Sequence, residues 1–330
     1  MTYKSIVVTK RGGLDALAIV ENVLRPPAPG EARVRVLAAP VCQDDVAARV
    51  GNRPVLPKVP FVPGYSILGV VDALGEGAGG VAVGDRVAAL TQVGGHAEFI
   101  YLPAGQLMPV PPGLDPAEAV VLILNYLVAY QVLHRVAQVR PGDKALLIGA
   151  SGGVGTAFLQ LGRLAELKMY GLASQSKHAA LADLGAALID YRSQDFVEVL
   201  RQAEPGGLDF VFNGMGEEYF RRGLAVLRRG GMLVHYGGPQ SMGRLALLVG
   251  RIILTNLLPN GKTIKGYGTH RLGVELFKED WTVLFSLLEA GSIRPVIAAK
   301  YPLLEAVEAN RLLESGQVTG HLVLLAPELL

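Results

Sequence analysis

The residues KALLIGASGGVGTAFLQLGRLAELKMYGLASQSK, 144–177, begin as an apolar strand, accumulate glycine, and continue with helical spacing. The run KALLIG has the composition of a buried strand, and apolar residues recur at helical intervals from Val154 to Ala165. The glycines therefore lie at a strand-to-helix junction. This is the structural context that a dinucleotide-binding turn requires.

The junction matches the dinucleotide fingerprint as Ala150-x-Gly152-x-x-Gly155, with alanine in the first position. Gly152 would let the backbone approach a pyrophosphate, and Gly155 would let the helix pack closely on the strand. The N-terminus of the following helix offers N–H groups to the anion. A loop with incidental glycines is the alternative. We predict a dinucleotide site formed by Ser151, Gly152, Gly153, Val154 and Gly155.

The stretch GLASQSKH, 171–178, indicates which dinucleotide binds. NAD-specific sites place an acidic residue here for the ribose hydroxyl, and this stretch contains no Asp or Glu. Ser174 can donate to a phosphate, and Lys177 carries a positive charge, although an ordinary solvated lysine is the alternative. An anion fits these residues better than a bare diol, so we predict NADP(H) as the cofactor.

The remainder of the chain predicts two kinds of architecture. Residues 1 to about 122 contain short strand-like runs broken by glycine, proline and aspartate. A long apolar helix is expected over residues 116–139, and strands then alternate with helices, as in a parallel sheet covered on both faces. After residue 268, one helix, a strand, a second helix and a final strand can return to the first domain.

Composition excludes several classes of protein. The net charge of +2 gives no argument for nucleic-acid binding. The one cysteine, Cys42, cannot form an internal disulfide or a structural zinc cluster. The first residues lack the apolar core of a signal peptide, and no stretch reaches 18 uninterrupted apolar residues. We therefore expect a cytoplasmic protein without a firm membrane signal.

Several motifs, read in order, carry a family resemblance; they are PFVPGY, VGDRV, HAEFIYLPAGQL, NYLVAY, RPGDKALLIGASGGVG, ASQSKHAALADLGAALIDYRSQDF and RRGGMLVHYGG. Together they resemble the medium-chain dehydrogenase/reductase superfamily, and within it the zinc-free quinone oxidoreductase (ζ-crystallin-like) family. The stretch SQSKHAAL and the apolar segment after residue 243 are also similar to vesicle amine transport protein-like members. The resemblance covers nearly the whole chain.

The resemblance implies an α/β fold with two domains and a cleft between them. A GroES-like, β-rich catalytic domain would comprise residues 1–122 and 269–330, and a Rossmann domain with a doubly wound parallel sheet would comprise residues 123–268. It also implies a homodimer. Matching positions would hold the 2′-phosphate through Ser174, Lys177 and Tyr191. Others would lie along the cofactor, with Tyr267 near the nicotinamide: Asn125, Tyr236, Gly237 and Gly238. A core-facing ring is the alternative for Tyr191 and Tyr236.

The zinc alcohol dehydrogenases provide a test for a metal site. Cys42 falls where their first catalytic ligand lies, but Tyr65-Ser66 occupies the next ligand position. Catalytic zinc needs three protein ligands, and one thiolate is too few. The loop that would carry structural zinc is absent, and no short-range ligand pairing occurs among the six histidines: His96, His134, His178, His235, His270 and His321. We predict that no metal is bound.

Without a Lewis acid, hydride transfer to a small hydrophobic conjugated carbonyl such as a quinone, enone or enal is the favoured chemistry. Candidate donors are Tyr65, Tyr267 and Cys42. Asp45 and Arg53 could line the site, although a helix cap and a solvated loop charge are the preferred interpretations of these two. Two other functions stay open: a 2-enoyl thioester reductase, and an NADPH-binding sensor or partner-binding protein with little turnover.

The segment SMGRLALLVGRIILTNLLPNGK, 241–262, is unusually apolar for a connection. Four interpretations are open for its core, residues 243–258: a lid over the substrate, a dimer surface, a weakly membrane-facing helix, or a buried helix. Leu245, Leu248, Ile252 and Leu257 would form one stripe. Arg244 and Arg251 are its only charged residues before Lys262, too few for a strongly basic interfacial helix.

Overall fold

The structure is a computed structural model that describes residues 1–259, 261–269 and 274–330, with the main chain alone for 274–276. The described chain forms two compact units. One contains residues 1–124 and 274–330, and the other contains residues 125–269. The sequence predicts that the chain returns to the first domain at residue 269. Residues 270–273, directly after this position, lie outside the described residues.

The strands are β1 (Thr2–Val8), β2 (Leu17–Val23), β3 (Glu31–Val41), β4 (Ser66–Leu74), β5 (Arg86–Leu90), β6 (Phe99–Pro103), β7 (Met108–Pro109), β8 (Lys144–Ile148), β9 (Lys168–Leu172), β10 (Ala186–Ile189), β11 (Leu208–Asn213), β12 (Leu227–His235), β13 (Thr263–Gly266), β14 (Ile297–Pro302) and β15 (His321–Leu325). The α-helices are α1 (Gln43–Val50), α2 (Pro116–Val121), α3 (Leu127–Gln131), α4 (Gly153–Leu164), α5 (His178–Leu181), α6 (Phe196–Ala203), α7 (Tyr219–Val226), α8 (Met242–Leu257), α9 (Val274–Glu289) and α10 (Ala306–Glu314). Two π-helical segments, Leu122–Tyr126 and Val132–Ala137, follow α2 and α3.

The first unit is built around the long strand β3. This strand pairs antiparallel with β4, β6 and β15 in a seven-stranded sheet, and β1 and β2 form a separate hairpin. Val34 and Val36 point into the core, whereas Arg33 and Arg35 alternate with them on the outer face. This alternation is the two-residue period of a strand with one buried face.

The second unit is a six-stranded parallel sheet in the order β10-β9-β8-β11-β12-β13. The chain moves outward from β8 to β10 on one side, and from β11 to β13 on the other. This is the doubly wound Rossmann arrangement, whose ligands bind where the strand order reverses, at the carboxyl ends of the strands. Here the reversal lies between β8 and β11, and the glycine turn directly follows β8.

The segment after β9 contains several short helical turns and no single continuous helix. A 3-10 turn over Gln175–Lys177 leads into the short α5, and a second 3-10 turn covers Ala182–Leu184. Gly185 then adopts a left-handed conformation with φ of 85°. Glycine tolerates this conformation without a Cβ penalty, and it ends the helical segment before β10.

Glu204 binds side chains at the amino ends of β8 and β9, the ends away from the glycine turn. Its carboxylate accepts bonds from Lys144 Nζ at 2.5 Å, Lys168 Nζ at 2.5 Å and the Tyr170 hydroxyl at 2.7 Å. Lys144 and Lys168 are the first residues of β8 and β9, and Tyr170 lies within β9. Glu204, directly after α6, therefore links these two strands. The lysines hold the pKa of Glu204 at about 2, below its usual range.

Glu204→Gln is expected to remove an acid-sensitive part of the stability. A carboxyl with a lowered folded pKa stabilises above its unfolded value, near 4.5, and this contribution is lost as the pH falls towards about 2. Between those limits the wild type should lose about 2 kcal/mol more unfolding free energy than the variant. Urea titration across this pH range measures the difference, with Glu198→Gln on α6 as control. Parallel pH curves for wild type and Glu204→Gln would contradict the assignment.

Among the described residues, one helical stretch, Pro116–Ala137, is long and apolar enough to cross a membrane by length and composition. Of its most apolar window, 78% is buried inside the protein. Core helices of water-soluble folds share that property. Within the first unit, Trp281 Nε1 donates to the carbonyl of Ile123 at 3.1 Å.

Candidate functional site

The glycine turn has the geometry of an anion cradle. Gly149 has φ of 92°, and the N–H of Ala150 donates to the carbonyl of Leu172 at 3.1 Å, which ties the turn to β9. Helix α4 begins after the N-cap residue Gly152, and no side chain caps it. The first N–H groups of a helix have no partner one turn earlier, so those of Gly153 and its neighbours are available to a ligand.

Two glycines of the turn are required for different physical reasons. A Cβ on Gly155 would lie 2.2 Å from the carbonyl oxygen of Gly149 and 2.7 Å from the carbonyl carbon of Ala150. Both neighbours are backbone and cannot rotate away. A Cβ on Gly152 would come no closer than 3.8 Å to Gly149. The absence of a side chain at Gly155 therefore lets helix α4 pack closely on the turn. At Gly152 it leaves open space through which a pyrophosphate could approach the backbone.

The predicted 2′-phosphate residues lie near the same turn. Lys177 Nζ is 3.5 Å from Ser151 Oγ, a long contact that brings the segment after β9 to the start of the glycine turn. Ser174 is buried, and its Oγ lies 3.3 Å from Ser176 Oγ. The structure therefore brings Ser151 and Lys177 together, with hydroxyl donors beside them.

Arg192 is a cation that sequence reasoning missed. Burial, and then the positive charge of Arg192, lower the pKa of Lys177, so the two cations lie within electrostatic reach of each other. The Arg192 guanidinium is 6.0 Å from the centre of the Tyr191 ring, which is exposed. Its position three residues after β10, the strand next to β9, was the available signal, because neighbouring parallel strands end at the same side of the sheet.

Asp190 lies two positions before Arg192, and its carboxylate is held mainly by its own turn. Ser193 Oγ donates to it at 2.6 Å, and the N–H of Arg192 donates to it at 3.2 Å. These bonds lower the pKa of Asp190, with the Ser193 bond as the largest cause. The carboxylate is thus oriented by its turn, and the adjacent cations retain a net attraction for an anion.

The Tyr236 ring faces the interior of its unit. It stacks on Phe158 with ring centres 5.0 Å apart, and a Cβ on Gly214 would lie 2.5 Å from its hydroxyl oxygen. Burial raises the pKa of Tyr236 above its ordinary range. This packing favours the core-facing alternative for the ring, although the residue as a whole is half-buried. The cofactor role of Tyr236, Gly237 and Gly238 stays a prediction, and a Cβ on Gly238 would meet no atom within 4 Å.

Tyr267 and Asn125 belong to the same unit as the glycine turn. The Tyr267 hydroxyl donates to Gln131 Oε1 at 2.7 Å, and its N–H donates to the carbonyl of His235 at 2.8 Å. Asn125 is buried in the π-helical segment Leu122–Tyr126. Single π-helical turns occur frequently at functional sites, so the cofactor role of Asn125 stays a prediction with a geometric argument in its favour.

Cys42 and Asp45 lie in the other unit, at the start of α1. Asp45 accepts from the Cys42 N–H at 3.0 Å, from its thiol at 3.1 Å, and from the N–H of Gly64 at 2.8 Å. Asp45 is thus a helix cap that also fixes the loop before β4. Burial and the neighbouring carboxylates raise the pKa of Cys42 well above its ordinary value. The thiol is therefore neutral and already donates to Asp45, which disfavours Cys42 as a nucleophile.

Tyr65 lies beside two charged residues in this unit. Arg53 Nη2 is 3.4 Å from the Tyr65 hydroxyl, and its guanidinium is 5.3 Å from the ring centre. Burial and the negative charge of Asp44 raise the pKa of Tyr65 to about 12. Burial also raises the pKa of Asp44. Sequence reasoning did not single out Asp44. The neighbouring Asp45 is the residue that caps α1, and Asp44 is close to Tyr65, which is distant in the sequence, only in the folded chain.

Within residues 1–259, 261–269 and 274–330, the His, Cys, Asp and Glu side chains form no group of three that could hold a metal ion. His270 lies outside the described residues. His96 is a buried core residue whose Nε2 donates to the carbonyl of Pro40, 3.0 Å away. Metal independence stays a prediction.

Two family models match separate stretches of the chain. The model of the alcohol dehydrogenase GroES-like domain matches residues 28–112, and the model of a zinc-binding dehydrogenase domain matches residues 184–324. The synaptic vesicle membrane protein VAT-1 homolog of Rattus norvegicus is 33% identical over 98% of this chain and 84% of its own. The 2-haloacrylate reductase of a Burkholderia species is 30% identical over 97% of this chain and 98% of its own.

Solved structures agree with these relatives. The quinone oxidoreductase of Escherichia coli, complexed with NADPH, superposes with a TM-score of 0.87 at 26% identity, over 98% of this chain and 99% of that one. The human VAT-1 homolog-like protein gives a TM-score of 0.84 at 27% identity, over 99% of both chains. The fold is thus a GroES-like domain joined to a Rossmann domain. The chain belongs to the medium-chain dehydrogenase/reductase superfamily of oxidoreductases, in its zinc-free quinone oxidoreductase family.

Proposed function

We propose that this protein is an NADPH-dependent oxidoreductase that reduces a quinone or another conjugated carbonyl, an enone or enal, without a metal ion. The observation that carries the proposal is the glycine turn. Its backbone excludes a Cβ at Gly155 and leaves space at Gly152, with Lys177 beside Ser151. This arrangement suits a dinucleotide that carries an additional phosphate.

The residues present fit the pyrophosphate and the 2′-phosphate of NADPH. The N–H groups at the start of α4 would hold the pyrophosphate, and Lys177 with Arg192 would attract the 2′-phosphate. When bound, NADPH supplies the hydride that reduces the acceptor. The chain's own task is to bind and orient both molecules and to exclude water.

The names of two relatives support the class of acceptor. One is a quinone oxidoreductase and the other a 2-haloacrylate reductase. Quinones and acrylates both conjugate a C=C bond with a carbonyl group. Negative charge that develops during hydride addition spreads onto the carbonyl oxygen, where a hydrogen-bond donor stabilises it. A metal-free site with one or two donors is therefore adequate for this chemistry.

Tyr65 is the donor that the structure favours in the first unit. Its pKa of about 12 keeps the hydroxyl protonated throughout the ordinary working range. Arg53 Nη2 lies 3.4 Å from the hydroxyl oxygen, which it approaches as a donor. Tyr65 would hold that proton and offer a hydrogen bond to the carbonyl oxygen of the acceptor. Tyr267 is the candidate in the other unit, where its hydroxyl donates to Gln131 Oε1.

Tyr65→Phe is expected to lower kcat/KM for a quinone about tenfold to a hundredfold, while the Kd for NADPH stays unchanged. Because the pKa is about 12, the ratio of wild type to variant should stay constant up to about pH 10. Steady-state rates across this range measure it. Tyr101→Phe, on β6, is the control. A ratio that collapses between about pH 7 and 9 would show that another titrating group performs the role.

The proposed function is tested by mixing the purified protein with NADPH and a panel of acceptors. The panel contains 1,4-benzoquinone, 9,10-phenanthrenequinone, an alkenal and an enoyl thioester. Nicotinamide absorbance should fall with a quinone or the alkenal. Loss with the thioester alone would support the enoyl reductase, and loss with none would support a binding protein with little turnover.

Metal analysis of the purified protein should find no stoichiometric zinc. Cell fractionation tests the proposed cytoplasmic location.

A further inference from the structure

Arg53 lies in the loop between α1 and β4, beside the hydroxyl group that would bind the acceptor. Its Nη2 atom is 3.4 Å from the Tyr65 hydroxyl oxygen, and its guanidinium carbon is 5.3 Å from the centre of the Tyr65 ring. The residue is half-buried, whereas a solvated loop charge would be exposed. A cation over an aromatic face is attracted to it, which holds the guanidinium beside Tyr65.

The Arg53 guanidinium has more hydrogen-bond donors than the protein uses. A guanidinium carries five N–H donors in a planar fork. Within the described part of the chain, the Tyr65 hydroxyl is the one acceptor at hydrogen-bond distance from the fork, and no carboxylate lies within 4.0 Å of it. Other arginines of this unit form ion pairs with carboxylates, namely Arg25, Arg33, Arg35, Arg49 and Arg311. Arg53 can therefore bind an anion that the protein does not supply.

Asp44 is a carboxylate that acts on Arg53 at longer range. Burial raises the pKa of Asp44, and the charge of Arg53 opposes this shift without a hydrogen bond between the two side chains. The negative charge of Asp44 also contributes to the raised pKa of Tyr65. Asp44 thus compensates part of the charge of Arg53 and leaves the donors of the fork open to a ligand.

A guanidinium fork matches the two oxygens of a carboxylate and binds them through parallel hydrogen bonds. We infer that Arg53 binds a carboxylate of the acceptor, and that the substrate class is a conjugated carbonyl with a carboxylate beside its C=C bond. This inference rests on the proposed function, because Tyr65 would bind the carbonyl oxygen of the same molecule. Arg53 is then the residue that determines specificity for charge.

The distance between Arg53 and Tyr65 favours a carboxylate over a phosphate. The two side chains approach within 3.4 Å, so an anion on Arg53 and a carbonyl oxygen on Tyr65 must belong to one small conjugated system. The phosphates of a pantetheine thioester lie at the far end of a long arm, many bonds away from the reacting C=C bond. A carboxylate attached directly to that bond reaches Arg53 without such an arm.

The expected reaction is written here for a 4-oxo-2-enoate. The alkene carbon that bears the carboxylate receives the hydride that NADPH supplies, and the C=C π bond breaks. Its electron pair moves to the ketone oxygen, to which Tyr65 donates a hydrogen bond. The other alkene carbon then takes a proton from water, and the products are a saturated 4-oxo acid and NADP⁺. Arg53 remains a cation throughout and offsets the charge of the carboxylate.

Arg53→Gln tests the inference with two acceptors, 3-benzoylacrylate and its methyl ester, which share one enone and differ in charge. The substitution should lower the ratio of kcat/KM for the acid to kcat/KM for the ester at least about thirtyfold, because a charge-assisted hydrogen bond is lost with the acid alone. The ratio cancels any effect of the substitution on Tyr65, since that effect acts on both acceptors. Lys58→Gln, which removes the same charge at an exposed position of the same loop, should change the ratio less than about twofold.

Two further variants and a binding measurement sharpen the test. Arg53→Lys keeps the charge without the fork and should restore part of the ratio. Asp44→Asn removes the negative charge nearest to the fork and should raise the ratio about threefold. The saturated acid 3-benzoylpropionate cannot be reduced at a C=C bond, and its inhibition constant should be at least about tenfold higher in Arg53→Gln than in the wild type.

An equal loss with the acid and the ester in Arg53→Gln would overturn the inference, because Arg53 would then act on Tyr65 or on the carbonyl oxygen. An acid-to-ester ratio that is the same in the wild type and in Arg53→Gln would also overturn it, while turnover of the ester or a quinone would leave the proposed function intact. The absence of turnover with every acceptor would overturn both. Far-UV circular dichroism and the Kd for NADPH establish that Arg53→Gln is folded.

Discussion

Gly155→Ala is expected to lower the free energy of unfolding by about 3 kcal/mol or more, a large effect for one methyl group. The added Cβ would lie 2.2 Å from the carbonyl oxygen of Gly149 and 2.7 Å from two atoms of Ala150. These are backbone atoms of the turn between β8 and α4. The helix must therefore move away from the strand, which displaces its N-terminal N–H groups. Chemical denaturation measures the loss, and NADPH titration should show no binding.

Gly152→Ala is the matched control, because it adds the same methyl group three residues earlier. The new Cβ would be no closer than 3.8 Å to protein atoms, and φ at this position is −74°, which alanine adopts freely. Stability should therefore change by less than about 1 kcal/mol. NADPH affinity should still fall at least about tenfold, because the methyl group occupies the approach of the pyrophosphate. Full affinity in Gly152→Ala would remove the turn from the proposed cofactor site.

Lys177→Glu is expected to change the dinucleotide preference roughly a hundredfold in favour of NADH. A charge-assisted hydrogen bond to phosphate is worth about 1.5–3 kcal/mol, and the new carboxylate also repels the phosphate. NADH lacks the 2′-phosphate, so its binding should change little. The ratio of kcat/KM values for NADPH and NADH measures the preference, and direct titration of each dinucleotide gives the same comparison without turnover.

Arg192→Glu should act in the same direction, because Arg192 lies close enough to lower the pKa of Lys177. Arg201→Glu on α6 makes the same change in net charge away from the site and serves as control. If Lys177→Glu weakened NADPH and NADH equally, the residue would be structural and the 2′-phosphate site would have to lie elsewhere. If Arg192→Glu alone had no effect, Lys177 would be the sole cation of that site.

The predicted cofactor site shows which structural features can be predicted from residues that are close together in the sequence. The strand, glycine turn and helix over residues 144–164 were predicted correctly, because each depends on neighbours within a few positions. Lys177 was predicted to hold the 2′-phosphate, and this role stays a prediction; the structure places its Nζ 3.5 Å from Ser151 Oγ. The Tyr236 side chain could not be predicted, because its direction depends on packing against Phe158, which is distant in the chain. Arg192 was missed although its position after β10, the strand next to β9, was an available signal.

The sequence by itself determined the two-domain architecture and the glycine turn of this protein. Hydrophobic periods of two and of about 3.6 residues indicate strands and helices locally. A glycine at position 155 of a strand-to-helix turn indicates close packing of the helix on the strand. Only the tertiary structure decided that Cys42 donates to Asp45, that Tyr65 lies beside Arg53, and that α8 turns leucines outward. Those outcomes depend on which distant segments pack against each side chain, and apolar composition alone does not show which face of a helix is covered.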